Sequence, residues 1–189
     1  MYTLFIDTHD KEIKIILYKD NKIINKTIEN SNYQHSEITL PTIKKILDSN
    51  KLKPQDLNQI AVVVGPGSFT GVRIGVTIAK TIAYSLKIPI KVLDSLYIKA
   101  LSYKGKKDFL VSIEDRNGAF VASFNNKYEK LEEYKYLPKK DYEIIKEQSN
   151  YVDTEVNYEE LINIINNIKE TNPHKVNPLY IKQIGVEKW

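Results

Sequence analysis

VGPGSFTGVRIGVTIAK, residues Val64–Lys80, holds Gly65, Gly67, Gly71 and Gly75, four of the seven glycines in the chain. Immediately before it, IAVVV (Ile60–Val64) is short, apolar and β-branched, the pattern of a strand buried on both faces. After it, Thr70–Leu86 carries apolar residues at helical spacing. Gly65 and Gly67 can take backbone angles closed to other residues, and Pro66 stiffens the turn between them. Ser68 or Thr70 can then cap the helix by accepting a hydrogen bond from a free N–H. A strand, a tight loop and a helix start in this order offer unpaired donors and a partial positive charge, which favour an anion.

Arg73 lies in the first turn of that helix, where a cation opposes the dipole by roughly 0.3–1 kcal/mol. Two readings supply the compensation. One is an internal ion pair with Asp7 or Asp94; the other is contact with a phosphate, a nucleic acid or a partner's carboxylate. A Walker loop is excluded, because Val72 and Arg73 follow Gly71 where Lys and Ser/Thr are required. The dinucleotide fingerprint fits better at Gly65 and Gly67, with Asp94 after the next strand in a ribose-binding position, but its third glycine is Thr70. Along the helix, Val72, Val76, Ala79 and Ala83 form one stripe, and Ile74, Ile78 and Ile82 a second, with Gly75 between them. Such a helix is sandwiched inside its domain or covered on the far side by another chain.

Outward from this stretch, TLFIDT (Thr3–Thr8), EIKIILY (Glu12–Tyr18) and KIINKTI (Lys22–Ile28) read as three strands, followed by a helix over Ser36–Ser49 with Leu40, Ile43, Ile46 and Leu47 on one face. IPIKVL (Ile88–Leu93) is a further extended segment. The first half is therefore βββαβα. The second half starts alike: FLVSIE (Phe109–Glu114), a turn at Asn117–Gly118, AFVASF (Ala119–Phe124) and a Tyr-rich segment ending near Leu137. A helix follows over Tyr158–Glu170, stopped by Asn172–Pro173. The expectation is a two-lobed α/β fold of the actin or ribonuclease-H type, a duplicated βββαβα with a shortened second lobe. The lobes are 1–103 and 104–189, dividing near Lys104–Lys107.

The 189 residues, 42% apolar and 28% charged, exclude collagen, coiled coil and a disordered tail. Without cysteine there is no disulfide framework and no thiolate chemistry. No apolar run approaches a bilayer span, and Asp7 interrupts the N-terminal segment before a signal-peptide core forms. A cytoplasmic protein, neither secreted nor embedded, is expected. The formal charge of +4 comes with 26 Lys, 26 Ile and 16 Asn, a mixture that AT-rich codons supply without selection for binding. Against it the two arginines, Arg73 and Arg116, stand out as positions where a planar fork is needed. Histidines at 9, 35 and 174 lack metal-ligand spacing. There is no GxSxG elbow, and Ser68 reads as a loop or cap residue. The lysines at 104, 106 and 107 read as a solvated junction, and the thirteen tyrosines as packing.

The run GPGSFTGVRIGVTIAK (Gly65–Lys80) resembles the signature of the TsaB family, formerly YeaZ, partner proteins of the tRNA threonylcarbamoyladenosine system. FIDT (Phe5–Thr8), HSEITLPTIKKIL (His35–Leu47) and IPIKVLDSL (Ile88–Leu96) resemble its opening strand, first helix and post-signature segment. Past residue 100 the likeness narrows to DRNGAFVASF (Asp115–Phe124) and PLYIK (Pro178–Lys182). The chain departs from the pattern at His9, where serine is common, at Thr77 and Thr81, and in its short second lobe.

The resemblance implies an actin-like (ASKHA) fold and a scaffold or activating subunit without catalytic or metal-ligating residues. It would dimerise with a TsaD-type catalytic paralogue and work with a TsaE-type ATPase in threonylcarbamoyl transfer to the adenosine beside the anticodon. No cofactor is expected on the chain itself, with ATP or ADP bound in the complex, and tRNA is met indirectly. A homodimer through the same surface is the alternative pairing. The implied interface and loop residues are Gly65, Pro66, Gly67, Ser68, Phe69, Thr70, Gly71, Arg73, Gly75, Ile78, Ala79 and Ile82, with Ile43 and Leu47. Asp7, Thr8, Arg73 and Arg116 are the expected nucleotide or tRNA contacts. Two rival readings stand: a dinucleotide-binding oxidoreductase using Gly65–Gly71 and Asp94, and a stand-alone actin-type kinase.

Overall fold

The computed structural model describes residues 1–32 and 34–181. Three N-terminal strands, β1 (Tyr2–Asp7), β2 (Glu12–Lys19) and β3 (Lys22–Asn30), form an antiparallel meander. β4 (Gln59–Val63) and β5 (Ile90–Leu93) add in parallel beside β1, giving the order β3-β2-β1-β4-β5. Two helices connect them, α1 (His35–Ser49) and α2 (Phe69–Leu86).

Both faces of this sheet are covered, which is why β1, β2 and β4 read as nearly unbroken apolar runs. Leu4, Ile6, Ile13, Ile15, Ile60 and Val62 pack with α1 and α2. The alternate residues Phe5, Ile16, Tyr18, Ala61 and Val63 face the other way, as the two-residue period of a strand requires. β3, at the edge, alternates between half-buried and exposed.

The second sheet is a three-stranded antiparallel unit, β6 (Phe109–Asp115), β7 (Gly118–Phe124) and β8 (Lys135–Pro138). α4 (Lys139–Gln148) covers one face through Tyr142. A short helix, α3 (Ser95–Ala100), covers the other, and it also joins the two units: Ile98 lies in the first core, Leu96 and Ala100 in the second. Neither α3 nor α4 shows in the apolar periodicity. α3 is too short for a repeat, and α4 is polar except for one buried face.

The chain has the two-lobed actin-like, ribonuclease-H-like α/β fold, with the strand-rich start repeated and the second repeat shortened to a meander and one helix, βββα. The expected division at residue 104 does not describe where the later elements pack. α5 (Tyr158–Asn167) closes the open face of the first sheet through Leu161, Ile162 and Ile165. Tyr18 Oη donates to the Tyr158 carbonyl at 2.9 Å, and Lys91 Nζ to the Ile168 carbonyl at 2.5 Å. The segment beyond it also returns to the first unit: Thr171 pairs with Ile90, and the Leu179 N–H donates to the Val64 carbonyl at 2.8 Å. Residues 182–189 of the expected second lobe, with Lys182 of the PLYIK match, lie outside the described residues.

Because α5 supplies Leu161, Ile162 and Ile165, the buried cover that Phe5, Ile16 and Tyr18 receive from the second half among the described residues, its truncation is expected to unfold the first unit. Ile162→Ala, at a fully buried position, should lower stability by about 2–5 kcal/mol. Urea unfolding followed at the tyrosines measures this; a loss below about 1 kcal/mol would mean that the first sheet does not depend on α5.

Candidate functional site

The loop between β4 and α2 is held from two sides, by Ser95 and by the β1–β2 turn. Gly65, at φ +99°, turns the chain out of β4, and its carbonyl accepts from the Ser95 N–H at 2.9 Å. The Pro66 carbonyl accepts from Ser95 Oγ at 2.5 Å. From the β1–β2 turn, the His9 carbonyl accepts from the Ser68 N–H at 2.6 Å, and Thr8 Oγ1 donates to the Gly71 carbonyl at 2.7 Å. The close approach explains the glycines of the first helical turns: a Cβ on Gly71 would collide with the Thr8 carbonyl, and one on Gly75 with the Thr8 hydroxyl. Ser68, rather than exposed Thr70, is the N-cap, its Oγ accepting from the Gly71 N–H at 3.2 Å.

Arg73 makes no ion pair with Asp7 or Asp94, contrary to the first of its two expected readings. Its guanidinium lies 3.7 Å from the centre of the Phe69 ring, one turn earlier, and 5.5 Å from that of Tyr180. Nε donates to Tyr180 Oη at 2.6 Å. The offset to the helix dipole is thus aromatic, and it comes from a residue far along the chain that no local pattern announces. The two acids are engaged elsewhere. Asp94 caps α3, accepting from the Tyr97 N–H at 2.6 Å and from Tyr134 Oη at 3.1 Å. Burial pushes its carboxyl above the usual range, partly countered by those two donors. A ribose-binding role for Asp94 is therefore overturned by its use as a cap, and the dinucleotide reading loses its acid.

Asp7 and Thr8 are buried, so neither presents a polar atom at the surface for nucleotide or tRNA. Asp7 Oδ1 accepts from His9 Nδ1 at 2.6 Å, and His9 Nε2 lies 3.6 Å from Asp10 Oδ2. Lys14 Nζ donates to both Asp10 oxygens at 2.6 Å, and His35 Nε2 donates to the Asp10 carbonyl at 2.8 Å. Burial opposes ionisation of both Asp7 and His9, but their mutual attraction and hydrogen bond outweigh it. Asp7 is held below its ordinary value and His9 above.

The interface residues divide in two. Gly75, Ala79, Ile43 and Leu47 face the core, where the first of these touches Thr8 and the others pack in the first-sheet cluster. Gly65 and Pro66 are also buried. On the outer face stand half-buried Ile74, Ile78 and Ile82, with Phe69 at 41% exposure. Leu40 on α1, read in the sequence as part of the core stripe, is 52% exposed beside them, and Tyr84 at the end of α2 is 61% exposed. The small-residue stripe therefore seats α2 on its own sheet, while the isoleucine stripe lies at the flank, half-buried, with Ile78 and Ile82 packing in part against the first-sheet core.

Between the units runs a cleft of about 1150 Å³, lined by His9, Lys11, Phe69, Arg116, Phe120 and Tyr180 among others. Arg116, on the β6–β7 turn, is exposed at its rim. Among the described residues no group of three or more His, Asp or Glu is placed to hold a metal ion.

A five-stranded sheet with parallel β1, β4 and β5 beside an antiparallel meander, followed by a second meander across a cleft, defines the actin-like class. The family model for TsaD, tRNA N6-adenosine threonylcarbamoyltransferase, matches residues 22–171. The chain belongs to this TsaD-type family and, within it, to the TsaB (YeaZ) branch. It is 44% identical over 96 residues to the tRNA threonylcarbamoyladenosine biosynthesis protein TsaB of Bacillus subtilis, covering 51% of this chain and 42% of that protein. The protein of the same name from Escherichia coli is 32% identical over 121 residues, 62% of this chain and 52% of its own length. The chain spans about half the length of the curated relatives it matches. The structure of YeaZ from Pseudomonas aeruginosa superimposes with a TM-score of 0.76 at 19% identity, over 95% of this chain and 99% of that one.

The Asp7–His9 pair makes stability depend on pH in a defined direction. His9, raised above its ordinary 6.5, contributes fully below that value and loses the contribution as pH rises through its folded pKa. Asp7, lowered below 3.8, contributes above that value and loses it as pH falls. The stability difference between the parent and His9→Gln, from urea unfolding, should be largest between these values and shrink above neutrality. A difference that grows with pH would show that His9 is held neutral.

Proposed function

We propose that this chain is a scaffold and activating subunit in tRNA threonylcarbamoyladenosine biosynthesis, without catalytic activity of its own. It docks a TsaD-type catalytic paralogue through the outer faces of α1 and α2, and the pair works with a TsaE-type ATPase. Its place is the cytoplasm, and no helix among the described residues is long and apolar enough to cross a membrane. ATP or ADP belongs to the assembled complex.

The observation that carries this reading is the apolar strip of Leu40, Ile74, Ile78 and Ile82, with Phe69 and Tyr84 at its ends. It lies on two adjacent helices whose opposite sides fill the core, so burying it requires another polypeptide. A strip of three isoleucines on one helix with a leucine from the next is the kind of surface that helices of a paralogue of the same fold would complement. The relatives' names supply the process. The engagement of Asp7 by His9 and of Asp94 by α3 supports leaving the chemistry to the partner, and weighs against a stand-alone kinase, which needs free carboxylates in its cleft.

Ile78→Glu places a charge in the middle of the strip and should weaken pairing with the paralogue by at least about thirtyfold. The variant should keep the parent's circular dichroism and melt at a somewhat lower temperature, because the position is half-buried and packs in part against the first core. Gly75→Arg is not an equivalent test, since that site faces Thr8 and the substitution would disturb the fold. Size exclusion with light scattering reads both pairings. Unchanged heterodimer formation would overturn the assignment, and loss of a homodimer alone would redirect the strip to self-association.

A further inference from the structure

We propose that the rim of the interlobe cleft formed by Phe69, Arg73, Tyr180 and Arg116, with Lys11, is a binding site for single-stranded RNA. It would hold an unstacked base against the aromatic–guanidinium cluster and the flanking phosphates on the cations.

Of the two arginines in a chain that otherwise uses lysine, Arg116 on the β6–β7 turn lines this cleft, and Arg73 on α2 packs against two of its lining residues, Phe69 and Tyr180. Their surroundings are complementary. Phe69 and Tyr180 pack 5.6 Å apart with Arg73 against both, and Tyr180 is still 51% exposed. With Nε fixed on Tyr180 Oη, the rest of the Arg73 fork is left to donate outward. Bases stack on aromatic rings and on guanidinium planes alike, whatever their identity.

The charges at the rim sort themselves in the same sense. Asp10 is taken by Lys14, Glu114 by Tyr142 and Lys146, and Asp115 by the Asn117 N–H and Tyr136. Arg116 and the Lys11 ammonium have no such partner among the described residues. Two of the acids lining the cleft, Asp10 and Glu114, are paired with lysines, while Asp115 is hydrogen-bonded by neutral donors and keeps its charge. The cations Arg116 and Lys11 are spread along an open rim on both units, and they do not converge on one point, which suits a strand with successive phosphates better than a single small anion. The cleft, at about 1150 Å³, exceeds the usual span of small-molecule pockets, roughly 300–1000 Å³.

The proposal leans on the tRNA reading only in its choice of nucleic acid, and of its residues only Phe69 also belongs to the isoleucine strip. The probe is a 5′-fluorescein decamer of mixed-sequence RNA, titrated into the full chain at low salt and followed by anisotropy, with AMP as competitor. Saturable binding is expected. Arg116→Ala should weaken it by about tenfold and lower the slope of log K against log salt by about 0.7. Tyr180→Ala and Arg73→Lys should each weaken it by about tenfold, the latter because lysine keeps the charge and loses the plane. Ile78→Glu should bind RNA like the parent even where it fails to pair. Absence of saturable binding, parental affinity in all three rim variants, or displacement by AMP at concentrations equal to the RNA would overturn the proposal.

Discussion

The packing of the β1–β2 turn against the first two turns of α2 is the constraint on which the rest of the architecture depends. Two hydrogen bonds, from Ser68 N–H to the His9 carbonyl and from Thr8 Oγ1 to the Gly71 carbonyl, draw backbone onto backbone at a distance that only glycine permits. Because α2 is seated so closely there, its isoleucine face is set at the flank of the core, half-buried. The same contact sets Phe69 and Arg73 on the rim of the cleft. A loop whose composition suggests an anion cradle thus acts first as a joint between a strand pair and a helix.

The joint also explains the use of charge nearby. His9 brings its carbonyl to the loop, and its ring to Asp7, so one residue ties the buried carboxylate to the glycine loop. Lys14 and Asp10 complete a network with no unpaired buried polar atom among the described residues. A carboxylate at the end of the first strand that in an actin-type kinase would stand free in the cleft is here closed off. The cations that remain available, Arg73, Arg116 and Lys11, are at the rim, where they can meet something larger than the cleft's interior.

Much of this was legible before the tertiary structure. The first-half order βββαβα, a helix start capped by Ser68 or Thr70, the buried character of β4 and the two stripes of α2 all follow from period and cap chemistry, which act over a few residues. The likeness of Gly65–Lys80 to the TsaB signature supplied the family. What could not be read is which stripe faces inward. Gly75 and Ala79 look like the small-residue seam of a helix pair, and Leu40 like a core residue in step with Ile43. Both assignments reverse because the nearest neighbour of α2 is Thr8 and its own sheet. Arg73 was recognisable as a residue in need of a partner, but Tyr180 stands over one hundred positions later.

The amino-acid sequence by itself determined the elements of the first half, the position of the glycine joint, the absence of thiol chemistry and the family, since each rests on residues close in the chain or on types that are absent. Tertiary structure alone decided that α5 belongs to the first sheet, that Asp7 and Asp94 are engaged internally, and that Leu40, Phe69 and Tyr84 are exposed and the isoleucines between them half-buried. These outcomes depend on which apolar face finds cover and which polar group finds a partner across the fold, and burial of that kind is settled by the whole chain at once.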